Sequence, residues 1–438
     1  MDSDKAKGPE RKPTLFCHAV RSSGVNDRQN PDRRDDRGLV VMTKTGIAST
    51  RREFLRTSLL LGGPYLTGFN KIRFANYRFE ADDFFRFGTK PTNLGVVGFV
   101  GEDRAPLDTP FNEELDGRLY TDLSDLTPAK PVTPTEQFYV RTRCSKLFDY
   151  GKPWTVRIAG LVKQPVVLTS DRLDGMVVPT GVHLMECAGN TRATRFAMLS
   201  VADWAGVPIS ELLKLVRIRP HAARVMISGF DRYLTKSRAS VSGAAWIFTI
   251  QELSSSRAFL AMKMNGKPLT PDHGAPVRLV VPGRYGCACI KWVNEIAFVV
   301  DEVEAPSQMR EFAARTQQLG VPKLAREYQQ PTIDQVAMPV RIEKWLVGGR
   351  IRYRVAGILW GGSRPINVLE IRFNPDQDYV RVEHVQQTSN DPWSFWSHDW
   401  TPTHTGTYLI RLRVKDPLVP ARRLDSGHYV RSVEITEI

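Results

Sequence analysis

Long apolar runs are missing from this chain of 438 residues. A membrane-spanning helix needs roughly 18 to 20 such residues, and the longest run, Thr57 to Asn70, is broken by Gly62, Gly63 and Pro64. The expectation is a soluble protein. Cysteine is also scarce, with five residues and no Cys-x-x-Cys pair. That excludes a disulfide scaffold and the usual zinc spacings, so a functional cysteine must act nearly alone. The missing Cys-x-x-Cys-His motif gives the expectation of no haem. RNP, zinc-finger and helix-turn-helix patterns are absent too, which argues against nucleic acid as a partner despite the net charge of +14. With 42% hydrophobic and 25% charged residues, collagen, coiled coil and wholesale disorder are excluded. The length exceeds one ordinary core, so two folded domains are expected.

The positive charge is unevenly spread. Residues 1–75 carry 15 Lys and Arg against 8 Asp and Glu, half of the surplus, and the remainder is mildly basic. A mildly basic body suits an anionic substrate or cofactor as well as a solvated surface. Residues 1–41 are polar and without apolar period, and read as a disordered stretch ahead of a true start at Met42. From Met42 a basic segment precedes a short apolar one, the layout of an export signal. Within it, Thr50-Arg-Arg-Glu-Phe-Leu-Arg56 resembles a twin-arginine signal, implying a periplasmic protein exported already folded.

The order of elements predicts a mixed α+β domain over residues 76–306, a charged helical connector over 307–337, and a β-sandwich over 338–438. Prolines break up residues 76–150. Short alternating runs such as Trp154–Ala159, Gly181–Glu186, Arg224–Ser228 and Val277–Val281 read as strands, and Ile209–Val216 as a short amphipathic helix. After residue 338, strand-like runs recur at sandwich spacing, including Gly349–Val355, Asn367–Phe373 and Gly406–Val414.

Chemistry concentrates at Cys187. It ends an apolar strand in His183-Leu-Met-Glu-Cys-Ala-Gly-Asn-Thr-Arg192, where Ala-Gly-Asn forces a turn. Strand and turn alone leave three readings open: an inert buried thiol, a nucleophile, or a metal ligand. The ordered segments around it narrow the choice. Phe138-Tyr-Val-Arg141, Glu186-Cys-Ala-Gly-Asn190, Gly229-Phe-Asp231, Asn265-Gly-Lys-Pro-Leu269, Asp272-His-Gly-Ala-Pro-Val-Arg278, Val281-Pro-Gly283 and Lys291-Trp292 keep the order of motifs of the sulfite oxidase family, which the chain resembles over residues 130–435.

That resemblance implies a molybdopterin-binding oxidoreductase domain followed by an immunoglobulin-like domain that pairs two chains into a homodimer. It implies Cys187 as the molybdenum ligand, a soft thiolate matched to a soft-ligated metal. Phe138, Tyr139, Arg141, Asp231, His273, Arg278, Cys289, Ile290 and Lys291 fall at cofactor-binding positions, with Arg278 suited to a phosphate. Arg141 and Arg192 fall where the family holds its anion, and Tyr328 where it has an active-site tyrosine, with Tyr285 as an alternative. The expected reaction is oxygen-atom transfer to sulfite or a related small sulfur anion, with electrons passed to a separate acceptor such as a c-type cytochrome. Reduction of an S-oxide such as methionine sulfoxide, and a cofactor-free binding protein, are the alternatives. The chain departs from the family at Arg143, where a histidine is usual, and in a shortened segment after Asn190.

Overall fold

Strand Thr155–Gly160 alternates exposed and buried side chains through Val156 and Ile158, the period of a half-buried strand. It pairs antiparallel with Val166–Thr169 and parallel with Val293–Val299, which also pairs with Arg224–Gly229. Ala245–Thr249 completes this five-stranded mixed sheet. A second sheet is antiparallel, in the order Lys267–Pro268, Phe259–Met264, Leu199–Pro208, Val178–Glu186, with Arg278–Val280 also pairing to Phe259–Met264. Its two-residue Asn265-Gly266 connection takes positive φ at both positions (52° and 76°), which asparagine and glycine tolerate best. Leu, Ile, Val, Phe and Trp side chains from both sheets form the larger core, among them Leu199, Trp204, Leu260 and Ile296.

This computed structural model describes residues 91–438 apart from 103–107, 110–117, 145–147, 150, 231–243, 367 and 387–391. The expected leader at residues 42–56 lies outside the described residues. All described residues belong to one unit, Ile72–Ile438.

The C-terminal strands make two further antiparallel sheets that share a second core through Ile342, Tyr353, Ile371, Trp396 and Ile410. Thr92–Val97 adds an edge strand to the first of these sheets by pairing with Val336–Val347, so a segment expected in the first domain, over residues 76–306, is built into the sandwich. The opposite face of that sheet contributes Met338, Ile358, Trp360, Trp393 and Phe395 to the larger core.

The fold is mostly β, which corrects the α+β expectation. Described α-helices run only four to six residues. Ile209–Leu213 buries just Ile209 and Leu212, one turn of apolar period. The connector is α-helical only over Ser307–Glu311, with 3-10 turns at Ala314–Thr316 and Ala325–Glu327, and Gln317 at φ 61° and Pro322 keep these pieces from joining into one helix. Among the described residues no helix is long and apolar enough to cross a membrane.

Candidate active site

Strand Val178–Glu186 ends where its pairing with Leu199–Pro208 ends, at Glu186 opposite Leu199. One more ladder bond, Cys187 N to Met198 O (3.0 Å), precedes a turn closed by Asn190 N to Cys187 O (2.9 Å). Asn190 locks the turn: its Oδ1 accepts from Met198 N at 3.1 Å and its Nδ2 donates to Glu186 Oε1 at 3.4 Å. The Cys187 thiol is thereby turned into a cavity, where Gly189 N donates to Sγ at 3.4 Å.

This inner cavity holds about 890 Å³ of empty space, its mouth included, and is lined by Tyr139, Arg141, Cys187, His273, Arg278, Cys289, Ile290 and Lys291, all named from the sequence. Arg278 is buried and donates through Nη1 to His273 O (3.1 Å) and through Nη2 to Met185 Sδ (3.1 Å), while its buried Nε has no partner among the described residues. Burial lowers the pKa of the Arg278 guanidinium. The ammonium of Lys291 is pushed down to about 7, chiefly by burial and then by Arg278, although its Nζ donates to Asp272 O (2.9 Å) and to Thr142 O. Gly274, at φ +103°, lets these two cationic stems approach, because a Cβ there would lie 3.0 Å from Arg278 Cβ and 3.1 Å from Lys291 Cβ. Burial raises the Cys187 thiol, and Arg141, the Gly189 amide and Arg315 work against that rise. The cavity therefore concentrates positive charge that few carboxylates offset. Of these, Asp272 is already paired with Arg143 at 3.1 Å.

His273 is a different case. Its Nε2 faces the Phe138 carbonyl (3.1 Å), which can only accept, so Nε2 carries the proton, and the Thr270 hydroxyl donates to Nδ1 at 2.6 Å. Burial lowers its pKa to about 4, so the ring is neutral at physiological pH.

An outer cavity adjoins the turn on its other side, with about 1520 Å³ of empty space including its open mouth. Arg118, Arg141, Arg315, Arg422, Arg423 and His428 line it, and no described carboxylate does. Arg141 lines both cavities, and its Nη1 is buried without a partner among the described residues.

Three described residues named from the sequence line neither cavity. Phe138 is fully buried in the core, edge-on to Trp204 and His273. Arg192 is exposed and donates to Val430 O. Tyr328 OH donates to Pro322 O at 3.0 Å. Asp231 lies outside the described residues. Tyr285, the alternative tyrosine, is buried with an unpartnered hydroxyl whose pKa burial and Glu186 raise, and Arg423 stacks 4.6 Å from its ring centre. The sequence reading missed Arg118, Arg315, Arg422, Arg423 and His428, because nothing local in a turn or a sandwich loop marks an arginine as facing a distant cavity.

Residues 146–307 match the family model described as an oxidoreductase molybdopterin binding domain. That match and the relatives below support a molybdopterin oxidoreductase of the sulfite oxidase family. The chain is similar to the NADPH nitrate reductase of Fusarium oxysporum (27% identity over 64% of this chain and 33% of that one). It is also similar to the NADH nitrate reductase of Solanum lycopersicum (30% identity, 49% and 24%). This chain thus spans about a third or less of the lengths of these relatives. Among solved structures it resembles the sulfane dehydrogenase SoxCD of Paracoccus pantotrophus in fold, with a TM-score of 0.56 and 18% identity over 75% of this chain and 88% of that one.

The residues present fit a molybdopterin cofactor. A lone thiolate cannot hold a bare ion, and among the described residues the only three metal-binding side chains that converge are Glu383, His384 and Asp399, in the sandwich. A metal at Cys187 must bring its own ligands, as a pterin-held molybdenum does. The partnerless Nε of Arg278 and Nη1 of Arg141 face a cavity where an anionic group would satisfy them.

Proposed function

We propose that this enzyme transfers an oxygen atom to sulfite or a related small sulfur oxyanion and passes the electrons to a separate acceptor such as a c-type cytochrome. The observation that carries this reading is Arg141. It is a half-buried cation whose Nη1 is buried without a hydrogen-bond partner among the described residues, and it lines both the inner cavity and an outer cavity lined by arginines and a histidine.

In this reading Cys187 supplies the thiolate donor, and its proton leaves when the metal binds. Arg141 and Arg315 favour the charged sulfur against the opposing effect of burial. Arg278 and Lys291 would hold the anionic parts of the cofactor in the cavity that Ile290 and Tyr139 also line. When bound, the cofactor supplies oxygen-atom transfer and two-electron redox chemistry. The chain's own task is to gather and orient an oxyanion: planar guanidinium forks from Arg141, Arg315 and Arg423 can meet its oxygens, and the cationic rim draws it in.

The charged side chains of the outer cavity's lining are all arginines, which favours an anion over a neutral S-oxide. The nitrate reductase relatives support a second reading, reduction of nitrate at the same site. Purified enzyme assayed with sulfite plus ferricyanide, and separately with nitrate plus a reduced dye, separates the two. Turnover of neither oxyanion would overturn both. In Cys187→Ser, molybdenum should fall from roughly stoichiometric to near none, because the one soft protein ligand is lost. Export along the twin-arginine route to the periplasm rests on the Arg51-Arg52 leader, and pairing of two chains through residues 338–438 rests on family resemblance.

A further inference from the structure

Residues 422–430 belong to the connection between strands Gly406–Val414 and Arg431–Ile435 of the sandwich. Their polar side chains nonetheless reach the Cys187 turn. Tyr429 OH donates to Glu186 Oε1 at 2.7 Å, His428 Nε2 donates to Asn190 O at 2.9 Å, and Arg423 Nη2 donates to Ala188 O at 2.8 Å. The turn answers with Arg192, which donates to Val430 O. Glu186 is fully buried and lies 3.9 Å from Arg423 Nη1. The residues on both sides of the thiol are therefore held by one loop of the sandwich.

Arg423 is the joint in this arrangement. The same guanidinium that holds the carbonyl next to Cys187 lines the outer cavity. Its Nη2 also donates to Arg315 O at 2.6 Å, so that nitrogen is fully used within the protein. An oxyanion that takes hydrogen bonds from Arg423 either draws Nη2 from these carbonyls or uses Nη1, which makes no hydrogen bond among the described residues and lies 3.9 Å from Glu186. The guanidinium is one rigid plane, so an anion that pulls on either nitrogen shifts Nη2 and with it the Ala188–Gly189 peptide, whose N–H donates to Cys187 Sγ at 3.4 Å.

We propose that Arg423 is a positioning residue that couples oxyanion occupancy of the outer cavity to the geometry of the Cys187 thiolate. This inference rests on the assignment of Cys187 as metal donor and of the outer cavity as the oxyanion site. The coupling is reciprocal: an anion that shifts the thiolate binds with an affinity that depends on the state of the metal. Lysine keeps the charge but cannot serve two directions with a planar fork, so it should separate binding from coupling.

The test uses the molybdenum-loaded enzyme and sulfate as the probe. The sulfur-to-metal charge-transfer absorption is followed through a sulfate titration at constant ionic strength, with chloride as the reference salt, and sulfate binding is measured in parallel by calorimetry. In the wild type the band should shift saturably with sulfate. Arg423→Lys should retain molybdenum and still bind sulfate while the shift is lost, and Arg423→Gln should lose the shift and bind sulfate more weakly. If Arg423→Gln fails to fold with Glu186 left short of a cation, the lysine variant decides alone. A wild-type band unmoved by saturating sulfate, or an unchanged shift in Arg423→Lys, overturns the inference while the function assignment stands. A wild type that carries no molybdenum overturns both, so metal content tells the two failures apart.

Discussion

His273 offers a quantitative test of the site's internal structure, because its hydrogen bonds require a neutral ring. The folded protein holds it near 4 against 6.5 in the unfolded chain, mainly through burial. A base depressed on folding stabilises the protein fully above its unfolded value, and the advantage is lost as the pH falls from 6.5 toward 4, because the unfolded chain takes up the proton first. At about pH 5 the linkage amounts to about 2 kcal/mol, and it approaches about 3 kcal/mol below pH 4. Glutamine can still donate to the Phe138 carbonyl but does not titrate. His273→Gln should therefore be less stable than wild type by about 1 to 2 kcal/mol near pH 7.5, where one buried hydrogen bond is lost. Near pH 5 that gap should close or reverse, since only the wild type bears the protonation penalty. Urea unfolding of both proteins at the two pH values measures the gap, and differencing cancels the titration of all other groups. A gap that stays constant between them would refute the neutral, doubly bonded ring.

Arg141→Met should lower the molybdenum content less than Cys187→Ser does and raise the oxyanion KM by about tenfold to a hundredfold, the worth of a charge-assisted hydrogen bond. Steady-state kinetics alongside metal analysis reads both quantities. Lys291→Met should move two measurements in opposite directions. Cofactor-free protein should become more stable to urea because a poorly compensated buried cation is gone, while retained molybdenum should fall because the cofactor loses a counter-charge. In Tyr429→Phe the fully buried Glu186 loses a 2.7 Å donor, at a cost of about 1.5 to 3 kcal/mol in chemical unfolding.

The wall of the inner cavity was legible because its residues come in short segments that chain geometry keeps together. Asp272 to Arg278 form one such segment, a turn in which Gly274 brings Arg278 toward Lys291, and Cys187 ends a strand whose alternation shows in the sequence. Phe138 was misplaced by one residue's alternation: Tyr139 lines the cavity while its neighbour packs against Trp204. Arg192 was misplaced for a related reason. The short 3-10 turn Arg192–Thr194 carries the side chain outward to Val430, and closeness in sequence to Cys187 did not fix direction. The outer arginines were illegible because Arg118, Arg315 and Arg423 are far apart in sequence and carry no periodic signal. Helical content was overestimated because apolar spacing that lasts one turn looks the same whether or not it continues.

The contacts around Glu186 set a stronger requirement than the sequence-based division into separate domains allows. Among its hydrogen-bond partners, Trp360 Nε1 (2.9 Å) and Tyr429 OH (2.7 Å) come from the sandwich, and Asn190 Nδ2, at 3.4 Å, is the local one. A chain ending at residue 337 removes both of the short donors and Arg423 as well. It would leave the Glu186 carboxylate next to Cys187 with one long amide contact. The loss is about 3 to 6 kcal/mol from the two hydrogen bonds alone, comparable with the whole stability of an ordinary domain. It would also expose the face of the larger core now covered by Met338, Ile358 and Trp393. The truncated chain should therefore lack cooperative unfolding and bind no molybdenum, whereas two autonomous domains would leave both properties intact. Calorimetry and metal analysis of the 1–337 fragment decide between these outcomes. A cooperative, molybdenum-loaded fragment would show that the sandwich is dispensable for the Cys187 turn.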